Sequence, residues 1–346
     1  MTQNMDNQKP LVKKETKNKI RVDFERTELK ERLKAKYVNS YFIKRAIWFL
    51  FRFLLLVGIA FVVLEPFYTM IMRSIMAPQD FIDSTVVNVP KHLSMGIYKA
   101  IFVDLHYVRV FFKTLAFSLS CALLQTFSCC LIGYGLAKFK FRGAKAVFFA
   151  VILTLVIPHG TLQSAMYYRF RYFAFFERIN CNLLNTIWPL ILLSATGLAF
   201  KNGLYIFMLR QFFRGVPDEL EESAYLDGAG TFRTFVQVIL PLSVPMMITV
   251  FLFAFCWQWT DDFYIPLFFL SKEPEFMTNL TKSLPPASLQ AIYTKTTGSS
   301  ASYLQAMKYA CGLMVATPLI ILYLFCQRYL VQGIEQIGRA SCRERV

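Results

Sequence analysis

The polar residues that could handle a solute lie inside stretches that are otherwise apolar. Lys201 and Asn202 interrupt one such stretch, and Gln258, Asp261 and Asp262 interrupt another. Polar and ionisable side chains are costly in the hydrocarbon of a membrane, so those found there are candidates for function. The sequence therefore points to binding or passage of a polar molecule within a membrane.

Three aromatic residues, Trp257, Trp259 and Tyr264, flank the second polar set. They suit a solute pathway, but aromatic residues also gather in belts at membrane interfaces, and this alternative stays open. The predicted pathway residues are Lys201, Gln258, Trp259 and Asp261.

The motifs of common enzymes do not occur in the sequence. It contains no GxxxxGK[ST], HExxH or GxSxG pattern, and its eight cysteines form no CxxC pair. The three histidines, His92, His106 and His159, are too few for a His-rich metal site, and His159 follows Pro158, which favours a helix kink. A membrane-embedded enzyme would need more than the acidic pair Asp261–Asp262. We predict no catalytic site, no metal site and no cofactor in this chain.

Six apolar stretches must position these residues. The chain of 346 residues is 55% hydrophobic with a mean hydropathy of +0.42, which is typical of a polytopic membrane protein. A membrane helix needs about 20 mostly apolar residues. The stretches that satisfy this length are 46–72, 110–137, 145–167, 183–209, 242–270 and 308–330.

The charge distribution predicts the orientation of these stretches. The net charge is +16, and basic residues are concentrated in the tail 1–45 and in the loop 138–145. Lysine and arginine favour the cytoplasmic side, so both termini are predicted to be cytoplasmic. Segments 73–109, 168–182 and 271–307 are then outside. The tail is either a solvated topology signal or, over residues 24–41, an amphipathic surface helix. Because these short segments carry the charge, no nucleic-acid partner is predicted.

A polar stretch between the fourth and fifth apolar stretches has an ordered pattern. "EESAYLDGAGTFRTFVQVILPL" (Glu221–Leu242) lies shortly after Pro217, which suits the first position of a helix. Four acidic residues, Asp218, Glu219, Glu221 and Glu222, suit its first turn. Gly228 suits the left-handed position that ends a helix, and Thr231 can cap a second one. Pro241 is predicted to end that second helix. The pattern thus predicts a helix–break–helix hairpin, with Ser223 and Ala224 on a small-residue face.

The same stretch resembles the EAA signature of permeases from ATP-binding cassette (ABC) importers. The residues that carry the resemblance are Glu222-Ser223-Ala224, Gly228, Val238 and Leu240-Pro241. Ser223 stands where the signature has alanine. Flanking segments, among them "GYGLAKFKFRGAK" (Gly133–Lys145) and "WQWTDDFYIPLFF" (Trp257–Phe269), resemble the maltose-type carbohydrate permeases, specifically the smaller, six-helix partner of the pair. The extra residue between Trp259 and Pro266 departs from that pattern, and it leaves the role of the acidic pair open.

The resemblance implies an all-α polytopic protein with the type I importer permease fold and six transmembrane helices over residues 46–335. It implies a multi-pass protein of the bacterial inner membrane that pairs with a second permease subunit. An ATPase dimer, which binds the ATP, and an extracellular solute-binding protein complete the assembly. The implied ATPase-coupling loop covers about residues 213–241. Its contact residues are Glu222, Ser223, Ala224, Asp227, Gly228, Ala229 and Pro241.

Two other interpretations remain at this stage: an ABC permease for a solute other than a sugar, and a secondary transporter that works alone. The sequence shows no inverted repeat typical of the latter. The last residues, 338–346, lack an apolar pattern and are interpreted as a non-native appendage.

Overall fold

A computed structural model describes residues 40–87, 89–175, 179–270, 275–282 and 300–343 of the chain. Most of the predicted tail 1–45 and much of segment 271–307 lie outside these residues. The described helices are α1 (Ser40–Ser74), α2 (Gly96–Asp104), α3 (Tyr107–Lys138), α4 (Ala144–Val156), α5 (His159–Arg171), α6 (Trp188–Ala195), α7 (Asn202–Gly215), α8 (Glu219–Leu226), α9 (Thr231–Thr234), α10 (Leu240–Trp259), α11 (Tyr264–Phe268), α12 (Met277–Leu280) and α13 (Ser300–Arg343). Two short antiparallel strands, β1 (Phe173–Phe175) and β2 (Ile179–Cys181), pair Phe173 with Cys181. This confirms the all-α class.

The chain divides into two compact units. The first ends at Phe67 and the second begins at Tyr68. In the first unit, every side chain of α1 from Lys44 to Phe67 is exposed, as expected of an apolar helix whose surface faces lipid. All sites described below belong to the second unit.

Four of the predicted stretches correspond to helices that are long and apolar enough to cross a membrane. Within the described residues these are Lys44–Ser74, Tyr107–Lys138, Thr231–Trp259 and Ala301–Tyr329. The stretch predicted at 242–270 therefore begins earlier and ends earlier than expected. The multi-pass nature of the protein is confirmed.

The third predicted stretch, 145–167, is bent and not straight. Helices α4 and α5 meet at an angle of 103°. Ile157 has an extended backbone, because the residue before a proline is disfavoured in the helical conformation. His159 begins the next helix, so the kink expected beside Pro158 lies at Ile157–Pro158.

The fourth predicted stretch, 183–209, is also broken, into α6 and α7. Gly197 has a φ of +74°, and the backbone N–H of Leu198 donates to the carbonyl of Leu193 at 2.9 Å. This is the Schellman ending, in which a glycine without a Cβ turns the chain away from the helix. Apolar composition did not reveal the break, since the residues around Gly197 are themselves apolar.

The core of the second unit forms where α3, α7 and α10 pack together, with α13 against α7 and α10. Gly133 lets α3 approach α7 closely. A Cβ at this position would lie 3.0 Å from the Cβ of Leu209 and 3.1 Å from the backbone nitrogen of Arg210. Small residues at helix contacts are typical of membrane bundles, where packing drives association.

The segment between α1 and α3 is held by a carboxylate–histidine contact. Asp80 is buried, and its carboxylate accepts hydrogen bonds from the backbone N–H and Nδ1 of His92, each at 2.7 Å. Burial raises the pKa of Asp80, but the contacts with His92 outweigh it and hold the pKa below its ordinary value of 3.8. A carboxyl group whose folded-state pKa is depressed stabilises the fold at neutral pH, and this contribution is lost as the pH falls through that lowered pKa.

Asp80→Asn is expected to lower the melting temperature of the purified protein at pH 7, because the buried carboxylate and its charge are lost. The difference from the unsubstituted protein should shrink as the pH falls below about 4. Asp83→Asn is the matched control, since Asp83 pairs with Lys91 at 2.6 Å on an exposed surface, where such pairs contribute little. Equal melting shifts for the two variants would contradict the prediction.

Candidate functional site

The polar stretch at about residues 213–241, called the hairpin below, contains the predicted helix, break and second helix. Its first helix, α8, begins at Glu219 with Asp218 at the N-cap, and not at Pro217. Glu219, Glu221 and Glu222 lie in the first turn, where the partial positive charge of the helix N-terminus favours carboxylates.

Gly228 ends α8 as the sequence predicted. Its φ is +81°, a region that side chains with a Cβ rarely adopt. The N–H of Ala229 donates to the carbonyl of Ala224, and the N–H of Gly228 donates to that of Tyr225, each at 3.0 Å. These two bonds are the Schellman pair. The hairpin therefore reverses through a turn that only glycine accommodates without strain.

The two faces of α8 differ from the prediction in one respect. Glu222, Ser223 and Asp227 are exposed, but Ala224 is buried against its own chain. The helical period places Ala224 beside Glu221, which is also buried, on the inward face. Ala224 is thus unavailable for close approach by a partner, and the outward surface has a different composition.

Two exposed apolar side chains flank the turn, Leu226 at the end of α8 and Phe232 at the start of α9. Leu226 is 89% exposed and Phe232 is 79% exposed. Leu226 lies outside the four described helices that are long and apolar enough to cross a membrane, and Phe232 is the second residue of one of them, Thr231–Trp259. Large exposed apolar groups in a polar loop are typical of a protein contact.

The second half of the hairpin does not end at Pro241. Thr231 is the first residue of α9 and makes no side-chain cap, since Gly230 occupies the N-cap position. The chain continues through a π-helical turn, Phe235–Ile239, directly into α10. A widened turn accommodates a proline that lacks its N–H, because the regular hydrogen-bond ladder is already interrupted there. The hairpin is therefore continuous with a membrane helix.

The hairpin is joined to α3 by Lys138, the last residue of that helix. Its Nζ donates to the carbonyl of Val216 at 2.9 Å and to Asp218 at 2.6 Å, and it lies 3.5 Å from Glu221. The hydrogen bond from Lys138 holds the pKa of Asp218 below its ordinary value. From the sequence, Lys138 was predicted only as one of the basic residues that orient the membrane helices. No local pattern relates residues 80 positions apart.

A cavity of about 240 Å³ lies at the end of α10 that leads into α11. Polar and aromatic residues from α3, α7, α10 and the following turn line it, among them Gln125, Lys201, Tyr205, Trp257, Gln258, Asp261 and Tyr264. The hydroxyls of Tyr205 and Tyr264 are buried, and neither has a hydrogen-bond partner among the described residues. Buried hydroxyls without a partner leave hydrogen-bonding capacity for a ligand or water.

The predicted pathway residues Gln258 and Asp261 both line this cavity. The side-chain amide of Gln258 accepts from Gln125 at 3.5 Å and donates to Asp261 at 3.4 Å. Asp261 also accepts the backbone N–H groups of Phe263 and Tyr264, at 3.0 and 2.8 Å. Asp261 thereby shapes the turn that ends α10 at Trp259, and this is why the helix stops short of residue 270.

Lys201 lines the cavity as well, whereas Trp259 does not. The Lys201 Nζ lies 4.4 and 4.6 Å from the ring centres of Phe200 and Trp257. Trp259 is fully buried in the core, and its Nε1 donates to the carbonyl of Val315 at 3.1 Å. Its neighbour Trp257 faces the cavity in its place.

Three further residues that line the cavity, Gln125, Tyr205 and Phe200, were not predicted from the sequence. Gln125 is a buried polar residue inside an apolar stretch, so the cost of polar groups in lipid would have identified it. Phe200 and Lys201 also line a second cavity of about 490 Å³, beside the break between α4 and α5. Lys201 therefore lies between two cavities. Within the described residues, no group of three or more His, Cys, Asp or Glu side chains is placed to hold a metal ion.

Comparison with known proteins relates these features to a family. The maltodextrin transport system permease protein MalD of Streptococcus pneumoniae is 28% identical over 87% of this chain and 98% of its own. The galactooligosaccharides transport system permease protein GanQ of Bacillus subtilis is 26% identical over 86% and 97%. The diacetylchitobiose uptake system permease protein NgcG of Streptomyces coelicolor is 25% identical over 80% and 83%.

A solved structure and a family model agree with these relatives. A bacterial ABC transporter involved in the import of the acidic polysaccharide alginate contains a chain that matches with a TM-score of 0.67 at 19% identity, over 83% of this chain and 97% of that one. This likeness confirms the type I importer permease fold. The family model matches residues 130–336, which include the hairpin and the cavity's α7 and α10 walls. The chain belongs to the family of binding-protein-dependent transport system inner membrane components.

Proposed function

We propose that this chain is the permease subunit of an ATP-driven carbohydrate importer in a bacterial inner membrane. It forms the translocation pathway with a second permease. An ATPase dimer supplies the energy, and an extracellular solute-binding protein delivers the carbohydrate. The observation that carries the proposal is the hairpin, in which Glu222, Asp227 and Leu226 are exposed outside the four spanning helices.

The hairpin is the element on which the ATPase acts. Glu222 and Asp227 meet basic groups of the ATPase, and Ser223 leaves room between them for close approach. Leu226 and Phe232, both largely exposed, enter an apolar cleft. Gly228 and Ala229 form the turn, and Pro241 lies where the hairpin continues into α10. The hairpin and both termini are then cytoplasmic, in agreement with the basic tail and loop.

Movement of the hairpin is transmitted to the cavity by the helix that connects them. Because α9, the π turn and α10 form one helical span from Thr231 to Trp259, displacement at one end displaces the other. Gln258 and the Asp261 turn lie at that other end. The helices thus rock between two packed arrangements as rigid bodies. The chain itself performs no bond chemistry, and it requires no cofactor.

The cavity is suited to part of a carbohydrate. Amide, carboxylate and tyrosine hydroxyl groups hydrogen-bond to sugar hydroxyls, and Phe200 and Trp257 offer aromatic surfaces to the apolar face of a sugar ring. Lys201 adds a cation beside these rings. The relatives that transport maltodextrin, galactooligosaccharides and diacetylchitobiose support this choice of substrate class.

The test is uptake into proteoliposomes that contain the complete transporter and its binding protein. Labelled maltodextrins, galactooligosaccharides and diacetylchitobiose are compared with a mixture of amino acids. We expect uptake of at least one of these carbohydrates, and we expect this uptake to require ATP on the side of the membrane where the ATPase lies. Uptake of amino acids alone would contradict the substrate class, and uptake without the ATPase would contradict the importer mechanism.

A further inference from the structure

Lys138 lies where a membrane helix meets the hairpin, and its surroundings are unusual for a loop lysine. Its side chain is only 7% exposed. The three oxygen partners around its Nζ come from Val216, Asp218 and Glu221, which together cover the chain's entry into α8. One largely buried ammonium group therefore contacts three residues of the hairpin between positions 216 and 221.

Glu221 makes this contact more than a surface ion pair. Its side chain is 11% exposed, and its Oε1, which faces Lys138, has no hydrogen-bond donor within the described residues. Buried charges are retained when they are paired, and removing one partner leaves the other uncompensated. Asp218 differs, because its side chain is 80% exposed and such pairs are weak.

Aromatic packing one turn earlier on α3 supports the same junction. The ring of Tyr134 lies 4.6 Å from that of Phe235, at the start of the π turn, and 5.5 Å from that of Phe213, at the end of α7. Tyr134 and Lys138 are four residues apart and share one face of α3. This face thus contacts the end of α7, the start of α8 and the π turn that follows α9.

From this geometry we propose that Lys138 is a positioning residue that ties the hairpin to α3 through Glu221. The hairpin and the end of α3 then move as one body when the ATPase pulls on the hairpin. The inference rests on the proposed function for the role of the ATPase. It adds a second mechanical connection to the one through α10. Since α3 packs on α6, α7 and α10 and carries Gln125, this connection also leads to the cavity.

The test is hydrogen exchange of the assembled transporter, measured by mass spectrometry with and without ATP and vanadate. In the unsubstituted complex we expect trapping of nucleotide to change exchange in the hairpin and at the α3 end together. In Lys138→Met and in the gentler Glu221→Gln, the hairpin should still respond while the α3 end loses its response. Lys138→Arg should retain the joint response, because a guanidinium reaches the same oxygens.

Lys140→Met is the matched control, since it removes the same charge two residues away from an exposed position. It should leave the joint response intact. A merely structural role would speed exchange equally in both nucleotide states. If the α3 end still responds to nucleotide in both Lys138→Met and Glu221→Gln, the proposal that Lys138 couples the hairpin to α3 is wrong. If the hairpin does not respond even in the unsubstituted complex, the proposed coupling function fails instead.

Discussion

Gly228→Pro is expected to lower ATP-driven uptake by about 100-fold while the protein remains in the membrane. Proline fixes φ near −65°, whereas Gly228 has a φ of +81°, and an incompatible proline costs about 3 kcal/mol or more. That energy corresponds to about two powers of ten in the population of the native turn. The turn would open, and the exposed side chains of Leu226 and Phe232 would no longer be presented together. Uptake and ATP hydrolysis by purified complexes measure the loss.

Gly230→Ala is the control for this experiment. Gly230 lies two residues further on, but its φ of −76° is ordinary and a Cβ there would meet nothing within 4 Å. Alanine should therefore leave uptake near the unsubstituted level. Glu222→Lys tests the charge of the same surface and should uncouple hydrolysis from uptake. Normal uptake by Gly228→Pro would refute the assignment of the hairpin as the coupling element.

Trp257→Ala is expected to impair uptake and Trp259→Ala to impair stability, although only two positions separate these residues. Trp257 lines the cavity and lies beside Lys201, so its loss should raise the apparent KM for the carbohydrate by about 10- to 100-fold. Trp259 is buried in the core, so its loss should destabilise the protein by about 3–5 kcal/mol. Uptake kinetics and thermal melting of the same preparations separate the two effects.

The Trp257→Ala and Trp259→Ala variants also test whether Trp257 belongs to the solute pathway or to an aromatic belt at the membrane interface. If Trp257 belonged only to a belt, Trp257→Ala would leave the apparent KM unchanged. Lys201→Met provides a second measurement at the same cavity wall, because it keeps the aliphatic stem and removes the cation. A Trp259→Ala variant that melts normally would contradict the packing of α10 against α13.

The parts of the fold that the sequence predicted well are those determined by composition over a long window. The helices Lys44–Ser74 and Tyr107–Lys138 are continuous apolar runs, and hydropathy alone identified them. The breaks at Ile157–Pro158 and Gly197 depend on one or two residues within apolar surroundings. Averaging over a window hides such residues. Pro158 indicated a kink in the third stretch, but nothing in the composition predicted the break at Gly197 in the fourth.

In the candidate site, too, some features could be predicted from the sequence and others could not. Gly228 could be predicted because a single residue type satisfies a left-handed turn. The face of α8 that points outward could not be predicted from the sequence. Glu221 and Glu222 are chemically identical, and they differ only in that Glu221 is buried and Glu222 is exposed. The exchange of Trp259 for Trp257 has the same cause. Adjacent residues on a helix point about 100° apart, and residues two positions apart point about 200° apart, so choosing the right one requires the helix's rotation about its own axis.

The π turn at Phe235–Ile239 has a geometric consequence for the whole hairpin. A π turn holds one residue more than the α-helical turn it replaces, and each residue in a helix adds about 100° of rotation. The direction in which Phe232 projects is therefore fixed by counting residues between the tip and α10. A single deletion within the π turn is absorbed when that turn becomes an α-helical turn, whereas a deletion in the regular part of α10 would swing the exposed tip by about 100°, roughly a quarter of a revolution, without altering any contact residue. Length, and not only chemistry, is thus a determinant of which partner this surface can meet.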